Sequence, residues 1–222
     1  ACTLSGIAYI YARFEYDQDA YPNGIPAITA IVKGKKLFDP RTNSTVWSAN
    51  PALCLRDYLK SDYGLSEADA KIDDAGIIAA ANICDQTVTN AASASPSTST
   101  RYTCNGSFTT AITPYDNLSN LVSAMGGKIW YGQGKWRMKP AYWTNPVMDL
   151  TDDDLRSGIG VSTRHSRRDN FNKLTGTFRG NESDWQVTDY PSVPADTAND
   201  PFLLADNGQE SVADVPLTYT AF

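Results

Sequence analysis

Residues 50–60, N-P-A-L-C-L-R-D-Y-L-K, constrain the fold of this chain more than any other stretch. Asn50 is a favoured helix N-cap, and Pro51 suits the first helical position because its nitrogen has no hydrogen to satisfy. The apolar side chains that follow at helical spacing are Ala52, Leu55 and Leu59. The stretch therefore predicts an amphipathic helix from Pro51 to about Lys60. This local argument leaves the choice of Trp47, Asp57 and Tyr58 unexplained.

Two more segments also have apolar residues at helical spacing. A second helix is predicted to begin near Asp73, and the apolar residues on one of its faces are Ile77, Ala80, Ala81 and Cys84. A third opens with Thr113 and Pro114 and ends at Gly126 and Gly127. Its apolar stripe consists of Leu118, Leu121, Val122 and Met125. The middle of the chain is therefore expected to hold three helices.

Alternation of apolar and other residues predicts strands elsewhere. Residues 1–16 and 27–38 alternate on either side of the turn-rich residues 17–24. A strand is also predicted over 101–110. Residues 128–139 alternate around Gly132-Gln133-Gly134, which is typical of a β-hairpin.

The remaining segments are expected to be exposed or extended. Residues 87–100 carry few large side chains, so they bury too little area to offset the entropy of ordering, and a flexible loop is predicted. Residues 169–179 alternate again as strands, and the chain after them is rich in Pro, Asp and Asn, which favours extended surface structure. Both ends of the sequence have strand-like patterns, so we expect an internal fragment of a longer chain.

The order of these elements predicts an α+β fold. Strands come first, then helices with a hairpin, then strands again, and no internal repeat is evident. We therefore expect a β framework formed by residues 1–46 and 151–222, with an α/β insertion at 47–150 that includes the loop at 87–100.

Charge and cysteine content exclude several classes of protein. A formal net charge of −6 and a pI near 4.7 argue against nucleic acid as the main ligand, because binding phosphates requires a basic excess. No apolar run approaches the roughly 18 residues of a membrane span. Four cysteines, Cys2, Cys54, Cys84 and Cys104, are too far apart for a C-x-x-C metal site. Buried free thiols are favoured, with a Cys84–Cys104 disulfide as the alternative in an oxidising setting.

Motifs that would indicate an enzyme or a metal protein are incomplete. The glycines around Gln133 lack the spacing of a phosphate-binding P-loop, and Asp17 and Asp19 lack the remaining ligands of a calcium loop. Asp152, Asp153 and Asp154 are more typical of a solvated turn than of a cation site. The only histidine, His165, is next to arginines that oppose its protonation. We therefore predict no catalytic residues, no metal and no cofactor, although a pair of catalytic carboxylates stays open.

Several fragments, taken in order, resemble one family. Residues 34–41 match G-x-x-(V/L)-(Y/F)-D-P-R, and residues 47–59 match W-S-x-N-P-A followed by D-Y-L. A helix, a Gly-Gly pair and a hairpin follow at 118–138. Later fragments are R-x-x-x-F-N-x-(V/L)-x-G-x-(F/Y) at 167–178, W-x-x-x-D-Y-P at 185–191 and D-N-G at 206–208. This succession is similar to the tail tip attachment proteins of lambda-type long-tailed phages, the J family.

The resemblance implies a structural protein of the virion. Such proteins form a trimeric hub that closes the distal end of the tail tube, and their modules mix small β-barrels with α/β insertions. It implies a homotrimer in the tail tip, with other tail proteins as neighbours, a host receptor contacted through parts outside this fragment, and DNA only in passage. The motif residues carried over are Trp47, Asn50, Pro51, Asp57, Tyr58, Asn172 and Gly176, and none of them is catalytic.

A contact between subunits is predicted from charge. The basic cluster of Arg164, Arg167 and Arg168 is complementary to acidic residues on an adjacent subunit, for which the sequence offers Asp152, Asp153 and Asp154. Two other functions stay open at this point. Twelve Tyr and five Trp suit a carbohydrate-binding or hydrolytic surface module, and the hub of a related non-viral tube or secretion machine has similar architecture.

Overall fold

A computed structural model describes residues 8–15, 17–90, 97–158, 160–161, 166, 170–180, 183–195 and 198–220. It divides the chain into two compact units, residues 1–33 and 34–222.

The first unit has turns but no helix or strand among its described residues. The Asp17 carboxylate accepts the backbone N–H groups of Asp19 and Ala20, which stabilises the predicted turn. The strands predicted at 1–16 and 27–38 were wrong over 8–15 and 27–35, because neither stretch forms a backbone ladder. Alternation sets which side chains share a face, but a strand also needs a partner to hydrogen-bond with.

The second unit begins with a hairpin and two helices. Strands β1 (Lys36–Asp39) and β2 (Ser44–Trp47) pair antiparallel, and helices α1 (Pro51–Lys60) and α2 (Asp74–Cys84) follow. A 3₁₀ turn at Asp69–Lys71 lies between the helices. Both helices lie where the sequence predicted them, and Asn50 caps α1 as predicted.

The next elements are a pair of strands and a helix. Strands β3 (Thr87–Asn90) and β4 (Ser97–Thr100) pair antiparallel, so the loop predicted at 87–100 was wrong for these residues. Backbone pairing stabilises this hairpin without large side chains. Helix α3 (Pro114–Ser123) follows. Residues 101–110 were predicted as a strand but form no ladder.

Strands β5 (Lys128–Gly132) and β6 (Lys135–Lys139) confirm the hairpin predicted at 128–139. The residues between them, Gln133 and Gly134, have φ of 55° and 76°. Positive φ at both central residues matches the twist of the flanking strands.

The rest of the chain forms short strands and one helix. These are β7 (Lys173–Thr175), β8 (Thr177–Arg179), β9 (Val187–Asp189), α4 (Pro201–Ala205) and β10 (Val212–Asp214). Strand β8 pairs antiparallel with β9, whereas β7 pairs parallel with β10. The helix α4 was missed in the predicted extended tail.

The core of the second unit lies where α1 packs against α2, α3 and β1, with β6 against α2. Its buried side chains include the stripes predicted for all three helices, with Tyr58, Leu53 and Met138 added. The α+β class is confirmed. Within the described residues the strands make five two-stranded sheets, and none of these closes into a barrel.

Candidate functional site

Asn50 connects two helices as well as capping one. Its side chain is 2% exposed, and its Oδ1 accepts the N–H groups of Ala52 at 3.0 Å and Leu53 at 3.4 Å. Its Nδ2 donates to the carbonyl of Ala81 in α2 at 2.9 Å. Asp can also cap a helix, but its carboxylate has no hydrogen to donate, whereas the amide of Asn50 both accepts at the cap and donates to α2.

Asp57 organises a polar network on the exposed side of α1. It accepts from Lys35 Nζ at 2.8 and 2.9 Å and from the Tyr63 hydroxyl at 2.6 Å. Partial burial opposes the charged form of Lys35, but its hydrogen bonds to Asp57 and Tyr63 outweigh this and raise the pKa of Lys35. Asp57 therefore ties the segment before β1 to the end of α1.

Tyr58 points into the core instead. It is 1% exposed, its ring meets that of Phe108 edge-on at 5.3 Å, and its hydroxyl donates to the carbonyl of Pro114 at 3.3 Å. The hydroxyl reaches the start of α3, which satisfies a buried polar group. The adjacent Asp57 and Tyr58 thus connect α1 to different parts of the second unit.

Arg41 of the D-P-R motif connects the β1–β2 turn to the end of α2. Its guanidinium pairs with Asp39 at 2.8 Å and with Asp85 at 2.7 Å, and it donates to Asn82 at 3.2 Å. The hydrogen bonds from Arg41 hold the pKa of Asp39 below its usual range. The stabilisation from this carboxylate is therefore present above its ordinary pKa and is lost as pH falls through the lowered value.

Arg56 was missed by the sequence analysis. It is 4% exposed, its Nε contacts Asp74 Oδ1 at 2.7 Å, and its guanidinium lies 4.8 Å from the centre of the Phe38 ring. A helical arginine is normally solvated, so no local signal marks it as buried. The guanidinium of this α1 residue therefore contacts side chains of both α2 and β1.

The later motif residues meet in the cluster of short strands. Asn172 accepts from Ser211 N–H at 2.8 Å and donates to Asp206 Oδ2 at 2.9 Å and to the Gln209 carbonyl at 2.9 Å. The structure therefore brings the F-N fragment to the D-N-G fragment, about 35 residues further along the chain.

Gly176 and Tyr190 form the second contact of this cluster. The Tyr190 N–H donates to the Gly176 carbonyl at 3.1 Å, and the Tyr190 hydroxyl donates to the Thr175 carbonyl at 2.8 Å. A Cβ at Gly176 would overlap the carbonyl of Val215 and the Tyr190 ring. The position therefore requires glycine because backbone and aromatic ring approach it closely.

Of the two charged clusters predicted to pair between subunits, only the acidic cluster lies in the described residues. Asp152–Asp154 form an exposed 3₁₀ turn, in which Thr151 and Asp154 make a capping box, as predicted for a solvated turn. Arg164, His165, Arg167 and Arg168 lie outside the described residues. In the part of the chain that is described, no group of three or more metal-ligating side chains comes together.

Large apolar side chains are exposed in two segments without regular structure. In the first unit they include Tyr9, Tyr11, Ile25, Ile28, Ile31 and Val32. In the second unit they include Trp143, Val147, Met148 and Leu150, of which Val147 is 98% exposed. Trp47 in β2 and Trp130 in β5 are also more than a third exposed. Such runs are typical of surfaces that another chain covers.

The sequence matches no known protein-family model, and a search of curated proteins finds no match either. No helix within the described ranges is long and apolar enough to span a membrane.

Proposed function

We propose that this chain is a structural component of a phage tail tip hub, similar to the tail tip attachment proteins of lambda-type phages. One observation carries the proposal. Residues 8–15 and 27–35 have the sequence pattern of strands, yet they expose their apolar side chains and belong to no strand in this chain. Such segments are suited to pairing with neighbouring chains in an assembly.

The roles of the motif residues support the same function. Asn50, Asp57 and Tyr58 connect α1 to its neighbours, and Asn172 and Gly176 hold the strand cluster together. Each acts by hydrogen bonding or close packing between elements. Such structural roles are what we expect of motif residues in a protein of an assembly rather than in an enzyme.

In the proposed assembly, three copies close the distal end of the tail tube in the virion. Residues 1–46 and 151–222 contribute to a β-barrel-like framework that neighbouring copies complete, and residues 47–150 form the insertion on it. The net charge of −6 repels DNA phosphates, which limits adhesion during ejection. Arg164, Arg167 and Arg168 engage Asp152–Asp154 of the adjacent copy, and host recognition belongs to parts outside this fragment.

Native mass spectrometry of the purified chain tests the assembly. We expect a trimer, and replacement of Ile25, Ile28 and Ile31 together by Asp should convert it to a monomer. The thermal midpoint of the monomeric core should hold, because these side chains are exposed. The matched control replaces the same three residues by Val, which keeps the apolar surface and should keep the trimer.

Immunogold electron microscopy tests the location. An antibody against the chain, applied to phage particles that contain the protein, should label one end of the tail. A monomer that binds glycans on an array, with no label on tails, would contradict the proposal in favour of a carbohydrate-binding module. Label on a tube without a capsid would instead indicate the hub of a non-viral machine.

A further inference from the structure

Strand β5 has an open edge. It pairs with β6 on one side, and within the described residues no third strand joins this sheet. Two aromatic side chains of β5, Trp130 and Tyr131, are 44% and 51% exposed. An edge strand presents backbone N–H and C=O groups to any chain that can add a further strand. An extended segment of another molecule can therefore pair along this edge.

The β5–β6 hairpin has one apolar and one cationic face. Met138 is buried in the core, and Ile129 and Trp136 pack against it. The opposite face consists of the alternate residues, which are Lys128, Trp130, Gly132, Lys135, Arg137 and Lys139. Residues 128–139 contain no Asp or Glu. This face is therefore positively charged, in a chain whose net charge is −6.

The positive charge is unfavourable within the hairpin itself. Lys128 lies directly opposite Lys139, and like charges in this position destabilise a sheet. Among the described residues, Asp73 reaches this face and pairs with Arg137 at 3.4 Å, away from the Lys128 end. A carboxylate placed beside Lys128 by an added strand would offset the repulsion.

The chain itself supplies two candidates for the added strand. Residues 8–15 and 27–35 both have a strand pattern, and neither pairs with a strand in this structure. Residues 27–35 contain Lys33 and Lys35 and no acid, so they would add to the positive charge of the face. Residues 8–15 contain Glu15. Charge complementarity therefore favours residues 8–15.

We propose that residues 11–15 of a second copy pair antiparallel with β5, with Glu15 opposite Lys128. The inference rests on the proposed assembly and deepens it, because it names the surface that one of the two segments occupies. Each copy donates one segment and offers one edge. A contact of this head-to-tail kind closes into a ring when the rotation between copies is threefold, as in a trimer.

The cationic face gains three complementary pairs in this register. Glu15 lies beside Lys128, Arg13 lies opposite Trp130, and Tyr11 lies opposite Gly132. A guanidinium over an indole is a favourable cation–π contact. A Cβ on Gly132 would lie 3.5 Å from Trp130 Cδ1, so the glycine leaves the edge of the indole open to Tyr11, which is 82% exposed in the single copy.

The apolar face gains two pairs. Phe14 lies opposite Ile129 and extends the cluster on the core side of the hairpin. Ala12 lies opposite Tyr131, and its small side chain leaves room for the exposed ring. In the single copy Arg13 and Glu15 pair with each other at 3.1 Å, and both are largely exposed. Such a pair contributes little, so little is lost when the two side chains exchange partners.

A zero-length crosslink between differently labelled copies tests the register. Unlabelled and ¹⁵N-labelled full-length chains are mixed while dilute, concentrated until native mass spectrometry shows a trimer, and treated with a carbodiimide, which joins a carboxylate to an amine in contact with it. We expect an amide between Glu15 of one label and Lys128 of the other. After trypsin it joins peptides 14–33 and 102–135, because the modified Lys128 is no longer cleaved.

The labels and the native mass separate the possible failures. A trimer without a Glu15–Lys128 link between light and heavy chains would overturn this inference and leave the proposed assembly standing. A link only within chains of the same label would mean that the segment pairs with its own β5, which also overturns it. A monomer at every concentration would overturn both proposals.

Charge reversal tests the same pair without a crosslinker. Glu15→Lys and Lys128→Glu should each raise the concentration of half-assembly by about tenfold, because like charges then face each other across the strands. The two substitutions together should restore the original value. The matched control combines Glu15→Lys with Lys36→Glu, which gives the same net charge but changes an exposed lysine of β1, and it should not restore assembly. Rescue by the control, or none by the reciprocal pair, would contradict the register.

Discussion

At the scale of single residues, several side chains in this protein have two structural roles. Asn50 caps α1 and hydrogen-bonds to α2, and Arg41 pairs with Asp39 at the end of β1 and with Asp85 after α2. A residue with two partners in different elements tolerates fewer replacements than a local rule suggests. Helix-capping propensity at position 50 would accept Asp, but the contact with α2 needs a hydrogen-bond donor, which Asp lacks.

We predict that Asn50→Ala destabilises the protein about twice as much as loss of an ordinary cap. Losing the cap costs about 1 kcal/mol, and losing the hydrogen bond to the Ala81 carbonyl costs about 1 kcal/mol more. The matched control is Thr113→Ala, which removes the exposed cap of α3 and should cost about 1 kcal/mol. Urea unfolding followed by circular dichroism measures both.

Asn50→Asp separates the two roles of the residue. Aspartate keeps the cap but cannot donate to Ala81, and it places a negative charge in a buried site. We expect it to be at least as destabilising as Asn50→Ala. A neutral effect of Asn50→Asp would mean that the cap alone accounts for this asparagine.

At the scale of elements, the helices and the long hairpin follow from local sequence, whereas the short strands follow from distant contacts. Strands β7 to β10 have only three residues each, so side chains outside the ladders must hold them together. Asn172 and Tyr190 supply hydrogen bonds for this, and Gly176 lets the Val215 carbonyl approach. The packing of the cluster therefore depends on a position without a side chain.

We predict that Gly176→Ala lowers the free energy of unfolding by roughly 1–3 kcal/mol, because the new methyl group overlaps the Val215 carbonyl and the Tyr190 ring. Gly158→Ala is the matched control, since nothing lies within 4 Å of a Cβ at that position. It should change stability by less than about 0.5 kcal/mol. Equal effects of the two substitutions in urea unfolding would argue against the close approach at Gly176.

The helices were predictable because their signals are local. Asn50-Pro51 and Thr113-Pro114 mark starts, and the apolar stripes mark the buried faces, so α1, α2, α3 and the β5–β6 hairpin were found within a residue or two. Strands at 8–15 and 27–35 were predicted wrongly because alternation does not reveal whether a partner exists. The pairing of β3 with β4 was missed because backbone hydrogen bonds need no large side chains.

The site residues were predictable only in part, for a related reason. The ordered motifs singled out Asn50, Asp57 and Tyr58, but their partners Ala81, Lys35 and Pro114 are 31, 22 and 56 residues away. The burial of Arg56 has no local sequence signal at all. The partners of such residues are set by the tertiary fold, so a single sequence identifies the position without the contact.

At the scale of the whole molecule, folding and assembly are expected to use different residues. Every buried apolar side chain among the described residues lies within 34–222, where α1 packs against α2 and α3. Residues 8–15 and 17–33 have turns but no ladder, and many of their large side chains face solvent. The core should therefore be stable in one copy, and in the proposed assembly we expect the apolar segments to gain structure only when other copies cover them.

Amide hydrogen exchange at several protein concentrations tests this separation. Amides of residues 27–32 should exchange fast at concentrations where native mass shows a monomer, since no ladder protects them. They should slow where the trimer forms, because strand pairing between copies then supplies hydrogen bonds. The internal control is α1, residues 51–60, whose amides bond within the helix and should be protected equally at all concentrations.

The result discriminates between two origins of the strand pattern. Slow exchange of residues 27–32 in the monomer would mean that they pair within their own chain, which would remove the observation on which the proposed assembly rests. Fast exchange in a verified trimer would mean that other surfaces hold the copies together, such as the exposed segment around Trp143 and Val147. Protection that rises with the trimer fraction is the outcome we expect, because apolar strands gain both partners and burial in the same step.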